Sequence, residues 1–125
     1  LAYVALATAQ FAQTRSYYAE VLGLTVLREW DRPNARGCML DFFGMRLEIL
    51  DSLREVQSLQ LSSPADDRVH LVAEVEELDR IYQRLRLAEL PWPMTPPTET
   101  NWGVRLLQTR DPDGVRIAFL QPQSP

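Results

Sequence analysis

The sequence predicts an α+β chain of two consecutive βαβββ modules, the first over about residues 1–61 and the second over about 68–122 of a single 125-residue domain. Three observations carry that prediction. Apolar residues recur with strand and helix periods in the same order twice along the chain. The segment Gly44-Met45-Arg46-Leu47-Glu48-Ile49-Leu50 lines up with Gly114-Val115-Arg116-Ile117-Ala118-Phe119-Leu120. A polar stretch, residues 62–67, parts the halves, with Ser62-Ser63-Pro64 read as the linker.

Residues 3–8 read as a buried strand. The triplets Ala5-Leu6-Ala7 and Ala7-Thr8-Ala9 suit a leader cleavage site, but no basic segment precedes them, so the strand is preferred. Phe11, Arg15, Tyr18 and Leu22 follow at helical spacing, and Gly23 suits the helix C-terminus. Strands over 25–30, 37–42 and Met45–Asp51 complete the first module, separated by Asp31-Arg32-Pro33-Asn34 and by Gly44. The order then restarts. Residues 69–75 form the next strand, and Leu78, Ile81, Tyr82 and Leu85 mark an amphipathic helix whose positive end Glu74, Glu76 and Glu77 favour. The Pro-rich stretch 91–97 occupies the place of a strand and fits a sheet edge or a loop. Strands 104–109 and 115–121 make a hairpin around Asp111-Pro112-Asp113-Gly114, a strong turn signal that accounts for both carboxylates without a calcium loop. At the first strands the best overlay sets Tyr3 on His70, while the last strands set Glu48 on Ala118.

With 46% hydrophobic and 24% charged residues the chain has the composition of a soluble globular protein, and no apolar run approaches a membrane span. A net charge of −4 and a pI near 5.0 disfavour nucleic-acid and anionic-membrane partners. All thirteen basic residues are Arg, which removes Schiff-base chemistry and any phosphate-loop lysine. The single cysteine, Cys38, forms no internal disulfide and fits a reducing, cytoplasmic setting. Flanked by Gly37 and Met39 in a strand, it reads as a buried, inert thiol.

In order and spacing the chain resembles the vicinal oxygen chelate superfamily of glyoxalase I, extradiol dioxygenases and bleomycin-resistance-type binding proteins. The carriers are Tyr17-Tyr18 with Val21-Leu22-Gly23-Leu24, then Leu47-Glu48-Ile49, then Trp102-Gly103-Val104-Arg105 leading into Asp111-Pro112-Asp113-Gly114. The resemblance implies two modules whose curved mixed sheets enclose a groove, and a homodimer. It also implies that metal-dependent members hold their ion from the first and last strand of each module. Those four positions here are Tyr3, Glu48, His70 and Ala118.

Strand alternation puts Glu48 on one face with Arg46 and Leu50, and His70 with Val72, so both candidates are expected to face the groove. A catalytic metal wants three or four protein donors. Ala118 offers none, and a phenol such as Tyr3 must first lose a proton with a reference pKa near 10. The expectation is therefore no cofactor, with a divalent metal on Glu48 and His70 as the alternative. Those two residues also suit pairing with Arg46, Arg116 or Tyr3, or a general acid/base role. By the resemblance Tyr3, Trp30, Phe42, Phe43, Trp92 and Trp102 border the groove, where aromatic faces suit a flat or cationic ligand. The candidate ligand-binding set is Tyr3, Trp30, Phe42, Glu48, His70, Trp102 and Arg105. Asp41, Glu48 and Glu99 are possible attractors of a cation, opposed by Arg46, Arg105 and Arg116. The function expected is metal-independent binding of a small organic molecule, such as an antibiotic. The alternatives are a metal-dependent lyase, isomerase or dioxygenase using Glu48 and His70, and a non-catalytic regulatory or scaffold module.

Overall fold

The computed structural model describes residues 2–54 and 68–123, and the expected linker at 62–64 lies outside them. The chain divides into two compact units, Leu1–Pro64 and Ala65–Pro125. In the first, β1 (Val4–Thr8) is followed by a helical segment, α1 (Phe11–Ser16) continuing into a π-helical turn over Tyr17–Val21. Strands β2 (Val26–Arg32), β3 (Ala35–Phe42) and β4 (Met45–Asp51) complete a sheet of order β1-β4-β3-β2. In the second, β5 (His70–Glu74), α2 (Leu78–Leu87), β6 (Thr98–Glu99), β7 (Val104–Arg110) and β8 (Arg116–Pro122) give the order β5-β8-β7-β6. In each, the first strand runs parallel to the last and every other pair is antiparallel. The two expected βαβββ modules are present.

The register corroborates the duplication. Val4 pairs with Leu47 and Leu71 with Ile117. Since Leu47 overlays Ile117, Val4 overlays Leu71, and Tyr3 falls on His70.

Alternation then sorts each sheet into two faces. In the first unit Cys38, Leu40, Phe42, Leu47 and Ile49 are buried beneath Phe11, Thr14 and Tyr18 of the helical segment. Thr8 ends β1 and starts the helix: its hydroxyl accepts from the Gln10 amide at 3.0 Å and meets Thr14 Oγ1 at 3.1 Å. Arg15, on the expected helical repeat, reaches the sheet edge and pairs with Glu29 instead of joining the core. The Leu22 amide bonds the Tyr17 carbonyl at 2.9 Å, one residue wider than an α-turn, before Gly23 turns the chain at φ 71°.

In the second unit Leu71, Ala73, Leu107, Ile117 and Phe119 form the buried face under Leu78 and Leu85 of α2. Full burial of such a leucine is worth about 1.5–3 kcal/mol. The first helical amide, at Leu78, is satisfied by the Gln121 side chain at 2.9 Å. Val69, expected to open this strand, precedes its first paired residue and is exposed. The Pro-rich stretch is loop up to the two-residue edge strand β6, as a segment short of amide donors requires. Asp111 locks the hairpin turn: its fully buried carboxylate accepts from the amides of Asp113 at 2.8 Å and Val115 at 2.9 Å. Turn chemistry therefore absorbs that acid.

Candidate functional site

The sheet faces not covered by helices carry most of the candidate residues. On the first sheet Tyr3 stands one register step before Val4, beside Arg46, and Glu48 lies opposite Ala5 and Met39. Tyr3 is half exposed, and Glu48 is partly exposed between the fully buried Leu47 and Ile49, whose side chains point the other way. Trp30 belongs to the same face, where its indole lies against Gly37, with the Arg28 guanidinium 5.8 Å from the ring centre. A Cβ at residue 37 would sit 2.6 Å from the Trp30 ring, so glycine is what lets the ring rest on the sheet. Tyr3, Trp30 and Glu48 thus share one face.

Phe42 does not. It points into the core, 2% exposed, with edge-on contacts to Tyr18 and to Phe43. Its odd step from Met39 and Asp41 selects the helix-covered side. Phe43 occupies the β3–β4 turn at φ 51°. A cavity of about 360 Å³ lies at the first sheet's edge between Phe11, Trp30 and Arg36. Its two carboxylates are committed, Glu29 to Arg15 and Asp31 to Arg54, and the Arg36 guanidinium stacks 4.6 Å from the Phe11 ring centre.

On the second sheet His70 and Val72 are exposed on the face that Arg116, Ala118, Gln108 and Arg110 share. Ala118 faces Val72 and Gln108 with a methyl group only. Trp102 stands in the turn before β7, 65% exposed. Arg105 lies on the opposite, helix-side face, opposite Gln121, and grips Asp79 of α2 through two bonds of 3.0 Å. That bidentate pair holds the Asp79 carboxyl below its ordinary range. Arg105 therefore braces α2 on the far side of the sheet from His70.

The donor set does not match a metal centre of the expected kind. Tyr3 and Glu48 supply a phenol and a carboxylate in the first unit, and His70 and Ala118 supply one imidazole in the second. Within each unit, among the described residues, no three His, Cys, Asp or Glu side chains come together. Cys38 is fully buried, and burial pushes its thiol up to about 11, against the lowering influence of Arg15.

Two features of the second unit escape motif reading. Trp92 donates its indole N–H to the Asp111 carbonyl at 2.8 Å, so the Pro-rich loop is tied to the hairpin turn. Between that loop and the strands β7 and β8 lies a cavity of about 340 Å³ lined by Trp92, Met94, Gln108, Arg110 and Arg116. The hairpin register, which pairs Arg110 with Arg116, is what brings its strand residues together.

The profile of the Glyoxalase/Bleomycin resistance protein/Dioxygenase superfamily matches residues 1–119. The chain belongs to that superfamily. Solved structures of the same fold include a genomically encoded fosfomycin resistance protein, FosX, from Listeria monocytogenes. It is 15% identical at a TM-score of 0.73, over 98% of this chain and 93% of that one. A bleomycin-binding protein complexed with bleomycin is 19% identical at a TM-score of 0.67, over 98% of both chains. Lactoylglutathione lyase from Agrobacterium tumefaciens is 18% identical at a TM-score of 0.68, over 97% and 92%. No curated protein matches the sequence. Within the superfamily, the four repeat-related positions of this chain read Tyr, Glu, His and Ala.

Proposed function

We propose that this superfamily member is a metal-independent binding protein for a small organic molecule, acting as a cytoplasmic homodimer. The observation that carries the reading is the pair of open sheet faces: they present Tyr3, Trp30 and Glu48 in one unit and His70 in the other, while the repeat-related positions hold too few donors for a catalytic ion. Trp102, exposed at the start of β7, adds a further stacking surface. The likeness in fold to a bleomycin-binding protein complexed with bleomycin supports the reading. No helix of the described residues is long and apolar enough to cross a membrane.

Metal content is the test. Protein purified without a histidine tag and then offered nickel, zinc, manganese and iron(II) should retain far less than one ion per chain by mass spectrometry, and should sediment as a dimer at micromolar concentration. Retention of about one ion per chain, lost in both Glu48→Gln and His70→Ala, overturns the metal-independent reading. A clean monomer removes the dimer.

A further inference from the structure

The open face of the second unit carries a carboxamide one strand away from where that of the first carries an acid. We infer that the cavity beside this carboxamide takes a neutral, flat molecule with an amide or lactam edge. The register defines the exchange. In the first unit one row across the open face reads Ala5, Glu48 and Met39, on β1, β4 and β3. The repeat-related row of the second unit reads Val72, Ala118 and Gln108, on β5, β8 and β7. The polar group has thus moved from the last strand to its hairpin partner and has changed from a carboxylate to a neutral amide. Placed there, Gln108 lines the cavity of about 340 Å³ together with Trp92, Met94 and Thr95 of the Pro-rich loop.

Arg110 donates to the Gly114 carbonyl at 2.9 Å, and it and Arg116 each have further interactions within the protein, so their charge is no guide to the ligand. Gln108 differs. It is exposed, and its side chain is hydrogen-bonded to none of the described residues. A carboxamide holds N–H donors and a carbonyl acceptor side by side in one plane, so its full complement is a group with the same pair reversed, as a primary amide or a lactam has. Trp92 uses its indole N–H on the Asp111 carbonyl at 2.8 Å, which leaves ring surface as its contribution to a ligand. Met94 and Pro93 extend that apolar wall. An apolar wall with one two-way polar contact fixes the orientation of a flat molecule, and the cavity volume falls within the range of small-molecule sites. This inference rests on the binding reading above and names the ligand class of one unit.

The test is calorimetric titration of the full chain with three probes built on one ring: benzamide, which donates and accepts, acetophenone, which only accepts, and benzoate, which is charged. Benzamide should bind at least about fivefold more tightly than either of the others, the share of one further hydrogen bond. Gln108→Met gives β7 the side chain that Met39 has in the related row, at nearly equal length and without hydrogen-bonding capacity. Gln108 is exposed, so this variant should fold as the parent does, which circular dichroism checks. It should bind benzamide at least about tenfold more weakly, as the loss of two hydrogen bonds requires, and lose less for acetophenone. Benzoate or acetophenone binding as tightly as benzamide, no binding of any probe, or benzamide affinity unchanged in Gln108→Met overturns the inference. Metal retention in the preceding experiment is a separate readout, so the two readings fail separately. An ion-retaining protein that prefers benzamide loses only the metal-independent reading, and an ion-free protein with no preference for the amide loses only the ligand class.

Discussion

Replacing Gly37 by alanine tests how the sequence seats Trp30 on the open face of the first sheet. The added Cβ would lie 2.6 Å and 2.8 Å from the Trp30 ring atoms Cζ2 and Cε2, and 2.7 Å from the Ile49 carbonyl oxygen. Carbon atoms rest at about 3.5–4.0 Å, so the ring must lift by roughly 1 Å. The Ile49 carbonyl belongs to β4, whose register with β3 fixes it at Cys38, so the backbone cannot yield without disturbing the ladder. Overpacking of this kind costs about 2 kcal/mol, within a usual span of roughly 1–3. At about 4 °C per kcal/mol for a chain of this length, the melting temperature should fall by roughly 8 °C. The assay is urea denaturation, with emission recorded in a Trp92→Phe, Trp102→Phe background so that Trp30 alone reports. A red shift should accompany the lost stability as the indole lifts into water. In a Trp30→Ala background the same glycine substitution meets only the carbonyl, so its cost should drop by about 1 kcal/mol. An equal cost in both backgrounds, or a cost under about 0.5 kcal/mol with unchanged emission, would refute the account of how Trp30 is held.

Two further outcomes follow from buried groups. Cys38 has its thiol raised to about 11 by burial, so the folded state holds the proton more tightly than the unfolded one. Its stabilising contribution is present below the ordinary thiol value of about 8.5 and is lost as pH rises from there through about 11. At pH 8 a thiol reagent should label native protein at least about a hundredfold more slowly than protein unfolded in guanidinium, and similar rates would show the thiol to be accessible. Asp111→Ala strands the amides of Asp113 and Val115 and should cost about 3 kcal/mol by denaturant midpoint. Asp111→Asn keeps an acceptor oxygen and should cost about 1 kcal/mol; equal losses from both variants would point to the charge rather than the turn.

Local pattern alone determined a good deal of this protein. The βαβββ order, the span of β4, the turn around Asp111 and the repeat that sets Tyr3 on His70 all follow from alternation, helical spacing and turn residues, which are properties of neighbours in the chain. Alternation also anticipated that Glu48 and His70 face away from the helices, because a residue's face is fixed by parity once its strand is fixed. Tertiary structure decided what parity between different strands brings together. Phe42 and Arg105 occur among aromatic and basic residues of the candidate set, yet their strands turn them toward the helices, where Phe42 fills the core and Arg105 holds Asp79. Conversely, Arg110 and Arg116 look unrelated along the chain until a hairpin register sets them face to face and Trp92 anchors a loop beside them. Strand identity is a short-range matter of propensity, whereas the neighbours across a ladder depend on loop lengths and hydrogen-bond register, and these are settled only when the sheet closes on itself.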